Sequence, residues 1–232
     1  SFCQDKIVTT GGEGGMVTTN DATLWRSMWA YKDHGKSYEA VYERQHPPGF
    51  RWLHESFGTN WRMLEMQAVI GRIQLRRLPG WTARREDNAR QMASALEPWA
   101  SAHGCVRVPR LRCSGCAARL PQDCDQGCRH AWYKFYFHVV PSKLAEGWDR
   151  DKVVAALNEA GVPAYQGTCS EVYLEKAFDG TDWRPKNRLP VARQLGETSV
   201  MLLVHPTLDQ AHIDKTCRAL QNILQACSLP PT

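Results

Sequence analysis

Lys6 stands five residues after Ser1 and five before a run of glycines, Gly11, Gly12, Gly14 and Gly15. An isolated lysine between short apolar and turn segments is ordinarily a solvated amine. This neighbourhood adds a second reading. Backbone amides of a glycine-rich turn, with a hydroxyl nearby, can hold a phosphate. A lysine partly withdrawn from water beside them can lose its proton and attack a carbonyl, forming a Schiff base. The run lacks the Gly-Lys-Ser/Thr of a Walker loop and the spacing of a dinucleotide fingerprint.

A second group with chemical potential is sulfur. Of nine cysteines, Cys105, Cys113, Cys116, Cys124 and Cys128 fall close together. Cys113, Cys116, Cys124 and Cys128 can hold a structural zinc tetrahedrally, with Arg112, Arg119 and Arg129 offsetting the thiolate charge. One or two disulfides, or free thiols on a loop, fit the same spacing. Nine is odd, so the cysteines cannot all pair within one chain.

Around these groups the chain reads as follows. Residues 7–19 predict two short strands flanking the glycine turn. Asn20 or Asp21 caps a helix carrying Leu24, Met28 and Tyr31, which stops at Gly35. Residues 36–58 lose periodicity and hold many aromatic and histidine residues, as binding segments often do. Residues 62–98 return to a helical pattern, with a kink or break expected at Pro79–Gly80 and an end at Pro98. Beyond residue 100 the expected order is strand (105–108), strand (131–140), helix (149–162, capped by Asp149), loop, strand (198–206) and a final helix capped by Thr207 or Asp209. That order describes a small α+β domain.

The 232 residues are 43% hydrophobic and 23% charged, within the range of a globular chain. The net charge of +5 suits an anionic small molecule and does not call for nucleic acid. No apolar run reaches the length of about 18–20 residues that a membrane helix needs. The expectation is a cytoplasmic protein, or one whose targeting segment lies outside this chain.

The stretch "SFCQDKIVTTGGEGGMVTTND" resembles the cofactor-lysine signature of the DegT/DnrJ/EryC1/StrS aminotransferases. "FGTNWRMLEMQAVIGRIQLRRL" resembles that family's Gly-Asn-Arg-Met helix start. "GVPAYQGTCSEVYLEKAF" and "LPVARQLGETSVMLLVHPTLDQAHIDKTCRAL" follow its small-domain pattern more loosely. The resemblance covers nearly all of the chain except residues 105–129.

It implies an α/β, fold-type I pyridoxal phosphate-dependent transferase. Residues 1–88 would be the C-terminal part of the large domain. Residues 89–232 would be a small α+β domain with a cysteine-rich insert at 105–129. Lys6 would carry the cofactor as a Schiff base and move the proton between donor and cofactor. Ser1 would bind the cofactor phosphate. Asn60 would reach that phosphate from the neighbouring subunit of a homodimer with a shared active site, and Arg62 would bind an anion or fix the helix start. His34, Tyr38 and Tyr42 fall where the family meets its sugar nucleotide. The implied reaction moves an amino group from an amino acid, glutamate being the expected donor, to a nucleotide-linked keto-sugar of polysaccharide, lipopolysaccharide or antibiotic-sugar biosynthesis. In the family a long segment precedes the lysine, so a missing N-terminal part of the large domain is expected, and this fragment alone is expected to be inactive. Two other readings stay open: a sugar dehydratase or regulatory relative, and a noncatalytic zinc-stapled interaction module. The lysine-to-histidine change that accompanies some dehydrations is absent, which favours transamination.

Overall fold

The computed structural model describes residues 1–109, 130–167 and 169–230. They divide into two compact units, Ser1–Pro79 and Gly80–Thr232. The division falls between Pro79 and Gly80. Arg84 and Arg85 already bond to the second unit, donating to the Leu208 carbonyl (3.1 Å) and the Trp132 carbonyl (3.0 Å).

The first unit holds α1 (Ala22–Lys32), α2 (Tyr38–Tyr42) and the start of α3 (Glu65–Ser101). Asp21 caps α1 by accepting from the Leu24 amide, and Ser37 caps α2 by accepting from the Ala40 amide. The two strands expected in 7–19 are absent: that stretch is irregular. Its β-prone residues meet no partner strand. The Thr9 amide instead donates to the Gln74 side chain of α3 at 2.8 Å.

The long helix corrects two further expectations. α3 passes through Pro79, Gly80 and Pro98 without ending. Proline removes one backbone hydrogen bond and adds local strain. Tertiary contacts outweigh that loss. Gln67 and Gln74 are tied to the glycine loop before Pro79, and Ala89, Met92 and Leu96 are buried after it.

The second unit is built on a four-stranded sheet of order β1-β2-β4-β3, every neighbouring pair antiparallel. The strands are β1 (Val106–Arg107), β2 (Phe135–Val139), β3 (Ala164–Gln166) and β4 (Ser199–Leu202). Phe135 stands opposite Leu202 and Phe137 opposite Val200. Helices α4 (Arg150–Glu159), α5 (Pro190–Thr198) and α6 (Gln210–Cys227) complete the unit. Asp149 and Asp209 cap α4 and α6 through the Lys152 and His212 amides. Val153 and Leu157 of α4 and Ile213, Leu220 and Leu224 of α6 recur four or seven residues apart, one face of a helix, and share one core with β2 and β4. β3 and α5 fall where the sequence predicted a loop.

Cys113, Cys116, Cys124 and Cys128 lie outside the described residues. Among those that are described, Cys3, Cys105, Cys169, Cys217 and Cys227 are free thiols, and no group of three or more His, Cys, Asp or Glu is placed to hold a metal ion. No helix of the described residues is long and apolar enough to cross a membrane.

Candidate functional site

The glycine loop of the first unit is folded back on the chain start. The Phe2 amide donates to the Gly14 carbonyl at 2.7 Å, and the Thr10 amide to the Phe2 carbonyl at 3.1 Å. The loop sits on α3, where the Gln67 amide group donates to the Glu13 carbonyl at 2.9 Å. Gln67, Ile70, Gly71 and Gln74 recur at helical spacing and face this loop. Gly71 is tight against it: a Cβ there would come 3.1 Å from a Thr10 methyl.

A second support comes from two backbone segments laid side by side. Asp33 bridges Asn60, and Lys36 bridges His54, both antiparallel. The His34 amide donates to the Thr59 carbonyl (3.0 Å) and the Trp61 amide to the Lys32 carbonyl (2.9 Å). His34 adopts φ 60 and Gly35 φ 82. A Cβ on Gly35 would lie 1.8 Å from the Ser56 carbonyl oxygen, so this crossing requires glycine. The arrangement fixes the backbone that carries Asn60 and Arg62.

Arg62 gathers three of the neighbouring side chains. Its Nε donates to Asn60 Oδ1 at 3.3 Å and lies 3.4 Å from Asp33 Oδ1, and a terminal nitrogen is 3.2 Å from His34 Nε2. Burial alone would raise the Asp33 carboxyl, but Lys36, Arg62 and Lys32 together hold it below the ordinary carboxylate range.

A cavity of about 1110 Å³ opens in this unit, with Ser1, Gly14, Gly15, Lys32, Trp61 and Arg62 on its wall. Trp25, Met28 and Trp29 supply apolar lining. Trp61 meets Tyr31 edge to face at 5.4 Å between ring centroids.

Of the residues singled out by sequence, Ser1 and Arg62 line this cavity, Asn60 and His34 reach Arg62, and Lys6 lies outside the lining. Tyr38 and Tyr42 are not brought to Arg62. They pack with Trp25 and Trp29 in an aromatic cluster, where Trp29 and Tyr38 meet at 5.3 Å between centroids. Lys32 and Asp33 went unnoticed in the sequence. The signal was present in "YKDHGK", one acid among bases and a histidine.

Lys6 also differs from expectation. Its side chain is 37% exposed, and Nζ pairs with Asp5 Oδ1 at 3.0 Å. The Cys3 thiol donates to the same oxygen at 2.7 Å. The hydrogen bond to Asp5, opposed by slight desolvation and helped by Cys3, raises the ammonium above its ordinary range. In this chain the adjacent Asp5 carboxylate is the largest influence on the ammonium.

Chemically, the cavity wall carries a serine, Ser1, and two basic residues, Lys32 and Arg62, residue types that bind anions such as phosphate. The aromatic lining fits a flat ring.

Comparison with known proteins extends this picture. Residues 1–221 match the model of the DegT/DnrJ/EryC1/StrS aminotransferase family. The X-ray structure of the aminotransferase from Psychrobacter cryohalolentis superposes with a TM-score of 0.89 at 57% identity, covering 97% of this chain and 55% of that one. GDP-perosamine synthase of Caulobacter vibrioides is 29% identical over 97% of this chain and 51% of its own length. dTDP-3-amino-3,4,6-trideoxy-alpha-D-glucose transaminase of Streptomyces venezuelae is 34% identical over 90% of this chain and 45% of its own. The chain thus spans about half the length of the curated relatives it matches. These likenesses support the expected α/β, fold-type I transferase class. The family match begins at the first residue and continues into α6, taking in the lysine segment, the Asn60–Arg62 turn and both compact units, and so the chain belongs to the DegT/DnrJ/EryC1/StrS aminotransferase family.

Proposed function

We propose that the protein is a pyridoxal phosphate-dependent aminotransferase. It moves an amino group from an amino acid, glutamate, to a ketone on a nucleotide-linked sugar. We place it in the cytoplasm, as a homodimer with active sites shared across the interface. The observation that carries this reading is the convergence of Ser1, Lys32 and Arg62 on one aromatic-walled cavity, in a chain whose residues 1–221 match the family. The names of the synthase and transaminase relatives support the sugar-nucleotide part.

In this reading Ser1 and Arg62 hold the cofactor phosphate, and Asn60 approaches the phosphate of the neighbouring subunit. Bound pyridoxal phosphate supplies the electron sink that makes the donor's Cα proton removable. Lys6 anchors the cofactor and takes and returns that proton. Asp5, 3.0 Å from Nζ, stabilises the protonated form that Lys6 reaches in doing so. His34, beside Arg62, is assigned with Tyr38 and Tyr42 to the sugar-nucleotide entrance.

The test is product formation. The intact protein, loaded with pyridoxal phosphate and given glutamate, is offered a panel of nucleotide-linked keto-sugars, and mass spectrometry reads the products. An amino-sugar that disappears in Lys6→Ala is the expected result. Dehydrated sugar as the sole product, or turnover unchanged in Lys6→Ala, would contradict it.

A further inference from the structure

Asp33 is not among the residues on the cavity wall. Its side chain is 11% exposed. Oδ1 lies 3.4 Å from Arg62 Nε and 3.6 Å from Lys36 Nζ, and Oδ2 lies 3.7 Å from Lys32 Nζ. Oδ1 is buried without an aligned hydrogen bond, so these ion pairs are what it has in exchange for water. Two of the three cations, Lys32 and Arg62, stand on the cavity wall. The Asp33 backbone also bridges Asn60. One carboxylate therefore restrains both basic side chains offered to the cavity, while its main chain bridges the segment that carries Asn60.

We propose that Asp33 is a positioning residue for phosphate recognition: it holds Arg62 and Lys32 in place for the cofactor phosphate without touching that phosphate. The inference rests on the reading of Ser1 and Arg62 as phosphate holders. Charge and position pull in opposite directions here, which makes the idea testable. A carboxylate 3.4 Å from a guanidinium competes with an anionic ligand. Removing its charge makes the patch more positive, and on charge alone should tighten anion binding. Long basic side chains released from their partner must be ordered again at each binding event, and that weakens it.

The experiment is a binding titration of the intact protein with pyridoxal phosphate and, separately, with pyridoxal, which lacks the phosphate. Asp33→Asn is expected to weaken pyridoxal phosphate binding about tenfold and leave pyridoxal binding unchanged. The double variant with Arg62→Gln should lose less than the two single losses combined, because one of the two side chains that Asp33 restrains is then already gone; fully additive losses would overturn the proposal. Tighter or unchanged pyridoxal phosphate binding in Asp33→Asn overturns the proposal. So does an equal loss for both ligands, the mark of general misfolding. A loss confined to the KM of a nucleotide-linked sugar overturns the assignment to the cofactor phosphate. If Arg62→Gln itself leaves pyridoxal phosphate binding intact, the underlying phosphate reading fails, and that result is distinct from a failure of Asp33 alone.

Discussion

Phe137 and Phe57 place the same side chain in opposite settings. Phe137, in β2, is 0% exposed and sits opposite Val200, inside a core shared with α4 and α6. Phe57, between Ser56 and Gly58 in the first unit, is 99% exposed in the single chain. The contrast runs through both units. The second closes a core of Phe135, Leu157, Leu202, Ile213 and Leu220. The first leaves Trp52, Met66 and Val69 exposed and is held by backbone bridges, glycine crossings and ion pairs. The lesson is that, in the single chain, the two units are held together in different ways. One is a scaffold whose stability comes from apolar burial. The other presents a cavity with aromatic residues, Ser1, Lys32 and Arg62 on its wall.

That contrast can be broken or sharpened by substitution. The largest effect belongs to Phe137→Ala, which should destabilise the second unit by about 3–5 kcal/mol in urea unfolding, since it empties a packed core. A cost below about 1 kcal/mol would mean that the unit is not closed as described.

Gly35→Ala should come next. The φ of 82 is poorly suited to alanine, and its Cβ would meet the Ser56 carbonyl oxygen. We expect a loss of about 1–3 kcal/mol. Hydrogen exchange should show it in the Asp33–Trp61 amides and not in β2 or β4; spread over both units, it would argue against separate supports.

Acid titration separates the units by their carboxylates. In the second unit, Glu171 accepts from Arg188 and from the Tyr173 hydroxyl (2.6 Å), which together lower it to about 2. A depressed carboxylate stabilises the fold above its ordinary range, and the contribution is lost as pH falls through the folded value. Glu171 should therefore remain ionised at about pH 3, where ordinary glutamates are protonated. Asp33 is also lowered, so its ion pairs should persist below the usual aspartate range and fail on further acidification. Carbon chemical shifts of the two carboxyl groups would read both; protonation of Glu171 near the ordinary value of 4.5 would disprove the Arg188 pairing.

Phe57→Ala should have the smallest effect, within about 0.5 kcal/mol, as for an exposed residue. A loss comparable to that of Phe137→Ala would show that Phe57 is covered in solution.

Local chemistry was the part of this molecule that the sequence made readable. Asp21, Asp149 and Asp209 cap helices as their positions suggest, and Gly161, with φ 71, follows α4 as its stop. α5 could have been found as well, because Pro190 after Leu189 is a helix-start signal. β3 is three residues long and too short for alternation to register. The continuity of α3 through Pro79 was beyond local reading, because contacts distant in sequence on both sides of that proline decide it. Within the site, the lysine segment and the Asn60–Arg62 turn were legible as motifs. The pairing of Lys6 with Asp5 and the gathering of cations around Asp33 were not, since they depend on which side chains the backbone crossings bring together.

The most direct test of the account is hydride reduction of the intact protein saturated with pyridoxal phosphate, followed by peptide mass analysis. The account predicts a stable cofactor adduct on Lys6, lost in Lys6→Ala. An unmodified Lys6 peptide, or an adduct confined to other lysines, would contradict it.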